Sequence, residues 1–416
     1  MRRFLFPMAL VLGFFLICGP AAAQLVLGQY EDEAPLGTWN IFGSPSAPSI
    51  GLGGAQFARA WDGSDSLANP ALLLSLPRLS VSVSGSYLAA SLFRYSLVNT
   101  GVIQSTGNPA VGVLSAEQGS VAVHSGNWAF AIAVAAPESY ARPATAVHDG
   151  GYDLTFIQTG SLRVFHAGIA RRLPAGISVG LGLNYAAGRL DRTTVERTAS
   201  NLRVVTISDD KSERYRGIYF NGGLVWEPTG RLAAAVVVRS PYLKKGPARS
   251  LLHYEVPVEA TDIRIDAEAT NSYRQPWVFG AGVSYRLTPA WGLAADAAYY
   301  GWSRYRVTYF EEPLARPFRD VLKAGAGIEY LAPARMYGRS ALIPFRVGFS
   351  VDPQPMTTVH SRYLALTFGT GLELRRLSVD VSAFIGREKG SERSLKSGKI
   401  VLSICYILRE DIPAGR

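Results

Sequence analysis

Cysteine is almost missing from this chain: two residues in 416, Cys18 and Cys405. Cys18 falls in an N-terminal leader that export would remove, so Cys405 stands alone and an intrachain disulfide is excluded. It lies in an alternating stretch, where a small packed residue is the plain reading. Long hydrophobic runs are missing as well. Past the leader the longest is Trp128 to Ala136, far short of the roughly 18–20 residues of a membrane-spanning helix. Histidine is sparse: His124, His148, His166, His253 and His360 lie far apart, without the spacing of a metal site. No metal and no cofactor is expected. Gly51-Leu52-Gly53-Gly54 is too short and wrongly placed for a dinucleotide loop. Gly176-Ile177-Ser178-Val179-Gly180 matches the G-x-S-x-G hydrolase pattern, but that serine must sit on a sharp strand-to-helix turn. Here it opens an alternating strand through Leu181, Leu183 and Tyr185, so no catalytic residue is assigned.

The leader itself is well formed. Arg2 and Arg3 precede the apolar run Phe4 to Cys18, followed by Gly19-Pro20-Ala21-Ala22-Ala23-Gln24. That layout is a secretory signal, residues 1–23, cleaved after Ala23. Phe15-Leu16-Ile17 lack the small residue expected beside a lipidated cysteine, which weighs against Cys18 as a lipid anchor. The formal net charge is +10, mostly arginine. Arg142, Arg192, Arg197, Arg203, Arg249, Arg335 and Arg339 are spread over turns and loops. An exported chain rarely meets nucleic acid, so no nucleic-acid partner is expected. Contact with lipid phosphates or acidic sugars suits these arginines; a generic basic composition reads equally well.

Alternation is abundant. In Trp277-Val278-Phe279-Gly280-Ala281-Gly282-Val283-Ser284-Tyr285 the odd positions are apolar and the others mostly Gly or Ser. Trp291, Leu293, Ala295, Ala297 and Tyr299 repeat it, as do Leu377, Val379, Val381, Ala383 and Ile385. A period of two means strands. One apolar and one small or polar face suits either a soluble all-β protein or a lipid-embedded barrel. We place strands at 78–90, 115–124, 128–137, 152–171, 176–196, 213–226, 231–243, 276–287, 291–307, 319–330, 342–352, 361–374, 377–388 and 397–408. That is about fourteen, an even number, as in bacterial single-chain barrels. Tight turns at Ser125-Gly126-Asn127, Leu173-Pro174-Ala175, Pro228-Thr229-Gly230, Thr288-Pro289-Ala290 and Arg375-Arg376 occupy one end, with a longer link at 331–341. Longer connections at 91–114, 138–151, 197–212 and 244–275 occupy the other. Short periplasmic turns and long extracellular loops are the asymmetry of an outer-membrane barrel. A soluble sandwich has no reason to sort its loops this way. The expected fold is an all-β transmembrane antiparallel barrel over 78–408, both ends periplasmic, with a tail at 409–416.

Residues 24–77 do not read as strands, being punctuated by Pro35, Pro45, Pro48, Pro70 and Pro77. A barrel of this size has a lumen too wide for side chains to fill, so a plug is expected there; a periplasmic tail is the bland alternative. Gly51-Leu52-Gly53-Gly54-Ala55, followed by Ala60-Trp61-Asp62-Gly63-Ser64-Asp65-Ser66-Leu67-Ala68-Asn69-Pro70-Ala71, resembles the hatch of FadL-type outer-membrane transporters. Gln275-Pro276-Trp277 leading to Gly280 through Arg286, Tyr299-Tyr300-Gly301-Trp302-Ser303, and Phe345 through Pro355 resemble later strands of that family. The order and spacing of these motifs along the chain carry the resemblance. The Asn-Pro-Ala hatch also occurs in PorV-like barrels that serve protein secretion.

The resemblance implies passive uptake of hydrophobic small molecules such as long-chain fatty acids or aromatic hydrocarbons. It implies capture at extracellular loops, an apolar lumen pocket, and a lateral exit at a kink in the third strand, Trp128 to Tyr140. Phe130, Ala133, Ala135 and Pro137 are the candidate gate, although no glycine stands at the kink. Leu92, Phe93, Tyr95 and Leu97 are unusually apolar for an outer loop and are the candidate entrance. Asn69, Pro70 and Ala71 are the candidate latch of the hatch: a four-bond amide, a fixed backbone and a small contact. A turn is the bland alternative. Expected partners are outer-membrane lipids, lipopolysaccharide and the barrel-assembly machinery, with the chain a monomer in a Gram-negative outer membrane. A PorV-like secretion scaffold is the second reading and an outer-membrane lipase the third.

Overall fold

The computed structural model describes residues 46–92, 113–140, 142–149, 152–200, 203–314, 317–336, 338–357, 360–390 and 396–408. Residues 1–45, where the signal and the start of the plug are expected, and residues 409–416, where a tail is expected, lie outside them. Among the described residues one sheet holds 19 strand segments. They are β1 (Leu79–Leu92), β2 (Val113–Ser125), β3 (Trp128–Ser139), β4 (Arg142–Asp149), β5 (Tyr152–Arg172), β6 (Ile177–Ser200), β7 (Arg203–Thr229), β8 (Leu232–Arg239), β9 (Tyr242–Val256) and β10 (Thr261–Gln275). β11 (Val278–Arg286), β12 (Trp291–Tyr300), β13 (Arg306–Tyr309), β14 (Glu312–Leu314), β15 (Val321–Met336), β16 (Arg339–Pro353), β17 (Arg362–Glu373), β18 (Leu377–Lys389) and β19 (Lys396–Leu408) complete it. β3 and β4 both pair β5 and form one wall strand. β8 with β9, β10 with β11, and β12 with β13 are likewise halves of single strands, while β14 only folds back on β13. Fourteen antiparallel wall strands remain. β1 pairs β2 on one side and β19 on the other, from Leu79↔Leu408 to Leu92↔Lys396, so the sheet closes and has no edge.

The alternation read from sequence separates the two faces of this wall. In β19 Ile400, Leu402, Ile404 and Tyr406 are exposed outward, while Lys399, Val401, Ser403 and Cys405 are buried inward. Leu293 and Val381 face out, and Asp296 and Asp380 face in. Outward aromatics gather near the short turns (Trp128, Trp226, Tyr285, Trp291, Tyr406) and again higher up (Phe220, Trp277, Tyr299). Trp277 and Tyr285 are eight residues apart, about 27 Å along a strand and about 20 Å of height at a tilt near 40°. That is close to the roughly 25 Å apolar band of outer-membrane barrels with its two aromatic girdles.

The long connections differ from expectation. Residues 197–212 and 244–275 are mostly strand, because β6 and β7 run on to Ser200 and Arg203, and β9 and β10 meet near 257–260. The 138–151 connection contains β4, and the link at 331–341 shrinks to 337–338 between β15 and β16. Above the lipid the outer face of the sheet meets water, so its apolar cover ends while backbone pairing continues. Charges then replace it: Arg249 forks onto Asp266 at 2.8 and 2.5 Å and holds that carboxyl below its usual range.

Candidate functional site

Residues 46–77 are almost wholly buried against the inner face of the wall. The short helix α1 (Ala47–Gly51) carries Pro48 in its first turn, where a fixed φ suits it. Its Ala47 N donates to Ser403 Oγ at 2.8 Å, and Ser382 Oγ donates to Ala47 O at 2.6 Å. Gly53 has φ +71° and donates to Thr367 Oγ1 at 3.1 Å. Two backbones meet here: a Cβ on Gly348 would stand 2.2 Å from Gly53 N, and one on Gly327 would stand 2.5 Å from Leu52 Cα. Gln56 N and Phe57 N both donate to Asp296 Oδ2, at 2.5 and 2.7 Å. Arg59 pairs with Glu329, which also accepts from Arg346 Nε at 2.7 Å. Arg346 Nη1 in turn donates to Asp380 Oδ1 at 2.6 Å. Breaking such a buried network leaves an uncompensated charge, so it resists change strongly.

The acidic stretch and Asn-Pro-Ala shape the segment itself. Asp62 caps the 3-10 turn Gly63–Leu67 by accepting from Ser64 N at 2.8 Å, and Asp65 reaches back to Asp62 N at 3.0 Å. Asn69 is fully buried; its Nδ2 donates to Phe57 O at 2.7 Å and its Oδ1 accepts from Ala71 N at 3.0 Å. Pro70 opens the turn that follows. Both side-chain bonds of Asn69 thus stay within the segment. Against the wall Asn69 and Ala71 make close packing on glycines, since a Cβ on Gly223 would stand 1.9 Å from Asn69 Oδ1 and one on Gly180 would stand 2.4 Å from Ala71 N. Asn221 ties this stretch to the wall, its Nδ2 donating to Ser66 O and Leu67 O at 3.0 Å each. Asn184 and His166 brace Asn221 from behind.

On the side of the long hairpins the lumen is lined with rings. Tyr140 and Tyr215 meet edge to face at 6.0 Å, Tyr215 and Tyr273 at 5.4 Å, and Tyr219 stacks on Tyr242 at 4.6 Å. Tyr300, Trp302, Tyr305 and Phe318 continue the lining. The Lys244 ammonium stands 3.1 Å from Glu138 Oε2 and within 6.0 Å of the rings of Tyr140, Tyr215 and Tyr273. Glu213 Oε2 accepts from Asn271, Tyr273 and Tyr215 at 2.7, 2.8 and 3.0 Å. Lys323 pairs with Asp352 at 2.8 Å. The rings thus surround two ion pairs and one carboxylate held by neutral donors. Higher up, register with inward Glu213 puts Ile207, Leu252, Tyr254, Ile263 and Ile265 on the inner face of the hairpins, an apolar patch set apart from the rings along β7 by the Lys211–Asp209 pair on the same face.

The wall is broken at one place beside this chamber. Among the described residues the β2–β3 ladder ends at Gln118↔Ala135, while β2 stays paired with β1 up to Val113. The β3–β5 register also skips between Ala135 and Glu138. Pro137, which lacks a donor for the ladder, lies in that skip. Just past it come Glu138 and Tyr140 of the ring cluster. Of the candidate gate residues, Phe130 and Ala133 lie in the continuous ladder, Phe130 facing lipid. Ala135 is the last paired residue, so the break begins there. Leu92 ends β1, and Phe93, Tyr95 and Leu97 lie outside the described residues. The sequence marks Asp296 as an inward residue but not as an anchor of the segment, and it does not single out Asn221, Arg346 or Lys244, isolated polar residues on inward faces. Ser178 begins β6 as ordinary strand, and among the described residues no cluster suited to a metal occurs.

A closed, lipid-facing barrel with short turns at one end and an inner segment is the architecture of an outer-membrane transport channel. The chain belongs to the outer membrane protein transport protein (OMPP1/FadL/TodX) family, whose profile matches residues 46–360. The toluene transporter TbuX of Ralstonia pickettii is similar in structure, with a TM-score of 0.66 and 16% identity over 89% of this chain and 100% of that one. The toluene transporter TodX of P. putida gives 0.64 at 13% identity, covering 89% and 100%. The CymD monoaromatic hydrocarbon channel gives 0.63 at 14%, covering 89% and 99%. At such identities the likeness speaks for the fold. A comparison with curated protein sequences finds no match.

Proposed function

We propose that this protein conducts hydrophobic small molecules, such as aromatic hydrocarbons or long-chain fatty acids, passively across the Gram-negative outer membrane. Capture occurs on the apolar inner face of the long hairpins. The guest then passes to the ring-lined chamber and leaves sideways into the membrane through the break between β2 and β3. The observation that carries this reading is the position of the break: the ladder fails beside Glu138 and Tyr140, which line the chamber. Residues 46–77 serve as a hatch that bars straight passage to the periplasm. No bond is made or broken in this reading. The chain is exported with cleavage after Ala23 and inserted by the barrel-assembly machinery. It works as a monomer among phospholipid and lipopolysaccharide.

Ala136 sits buried in the break. Ala136→Trp should obstruct the exit; a barrier about 1.4 kcal/mol higher would slow passage roughly tenfold. Uptake of a radiolabelled aromatic hydrocarbon by cells should fall accordingly, with normal heat-modifiable migration of the barrel. Unchanged uptake in a folded variant would remove the break as the route.

A further inference from the structure

The outer face of the wall carries a groove of 710 Å³ on its lipid side, lined by strands β3, β5, β6, β7, β8 and β11. Its cause is one residue. Ile169, Leu181, Gly222, Val238 and Phe279 are direct cross-strand neighbours in a single row around the barrel. Four of the five are apolar side chains and the middle one is absent. Glycine within a strand weakens it and usually marks a bulge or a close approach. Neither applies to Gly222. Its ladder is continuous, its φ is not positive, and a Cβ would meet Leu181 and Val238 at an ordinary 3.5 Å. Gly180 and Gly223 differ, because their Cβ positions are taken by the inner segment. The space outside Gly222 is therefore not demanded by the protein's own packing.

One end of the groove is charged. The next row toward the short turns runs Trp128, Arg171, Val179, Leu224 and Val236. Arg171 is exposed, lies 5.0 Å over the Trp128 ring, and pairs with no carboxylate among the described residues. A guanidinium held by an interfacial tryptophan is suited to a phosphate. The short turns face the periplasm, so this end of the groove opens on the leaflet built of phospholipid, not of lipopolysaccharide. A cation at headgroup level with an apolar furrow rising from it into the bilayer fits one kind of molecule.

We propose that the groove is a binding site for a phospholipid of the periplasmic leaflet, with the phosphate on Arg171 and one acyl chain laid across Gly222 between Leu181 and Val238. The site stands independently of the transport reading.

The test uses the full-length protein in vesicles containing phosphatidylglycerol with a photoactivatable acyl chain, followed by mapping of the labelled peptides. Labelling should concentrate on Leu181, Leu224, Val236 and Val238. Gly222→Leu puts a branched side chain into the furrow and should abolish that concentration; Gly222→Ala, whose Cβ meets only ordinary contacts, is the milder control if yield falls. Arg171→Gln should lower labelling roughly fivefold, the factor expected of one basic contact near an anionic surface. With a photoactivatable diacylglycerol, which lacks phosphate, Arg171→Gln should change nothing and Gly222→Leu should still act. Even labelling around the apolar band in the wild type, or unchanged labelling in Gly222→Leu, would overturn the proposal. Equal loss of both probes in Arg171→Gln would overturn the role of the phosphate.

Discussion

Asn69 shows how one side chain organises a neighbourhood. Its amide ties Phe57 O to the turn that Pro70 begins, and Gly223 leaves room for it. Asn69→Ala leaves Phe57 O without its donor, at a loss on the order of 1 kcal/mol or more. The links to the wall through Asn221 and Asp296 remain. Single-channel conductance should therefore rise or flicker while the barrel keeps its heat-modifiable migration. Wild-type conductance in a well-folded variant would reduce Asn69 to a turn residue. The residue was legible only through resemblance, since Asn-Pro alone signals a turn. The wall residues that hold the rest of the segment were not legible in that role: Asn221 and Asp296 read as ordinary inward polar residues until Ser66, Leu67, Gln56 and Phe57 are packed on them.

At the scale of elements, the proposed route has a guest first held on the long hairpins. Ile263 and Ile265 are about half exposed on the inner face, opposite Tyr254 and Leu252. Replacing both with serine removes apolar contact without touching the lipid band. If about 1.4 kcal/mol of capture is lost, apparent affinity in an uptake assay should weaken roughly tenfold at unchanged yield. Unaltered affinity would move the entrance elsewhere. Residues 244–275 read as a loop because Asp262, Arg264, Asp266 and Glu268 carry charge where a lipid-facing strand would not. Pairing along the β9–β10 hairpin needs no such apolar face.

For the molecule as a whole, the backbone ladder between β1 and β19 closes the barrel, and residues 46–77 pack inside it. The groups that hold the segment, such as Asp296, Thr367 and Ser403, would face water if it were gone. Deleting 46–77 should then leave a barrel that assembles and shows the large conductance of an open lumen of this width. A deletion variant with the small conductance of the intact protein would mean that something else blocks the lumen.

The alternation of apolar and small residues and the sorting of short turns to one end determine class and strand number from the sequence alone. They do so because lipid imposes a period of two on every wall strand, and each strand carries that signal by itself. The break beside Pro137, the seat of the inner segment on Asn221, Asp296 and Arg346, and the furrow at Gly222 were decided by tertiary structure. Each arises where strands distant in sequence are set side by side, and a glycine or an asparagine acquires its meaning from what the opposite surface places against it.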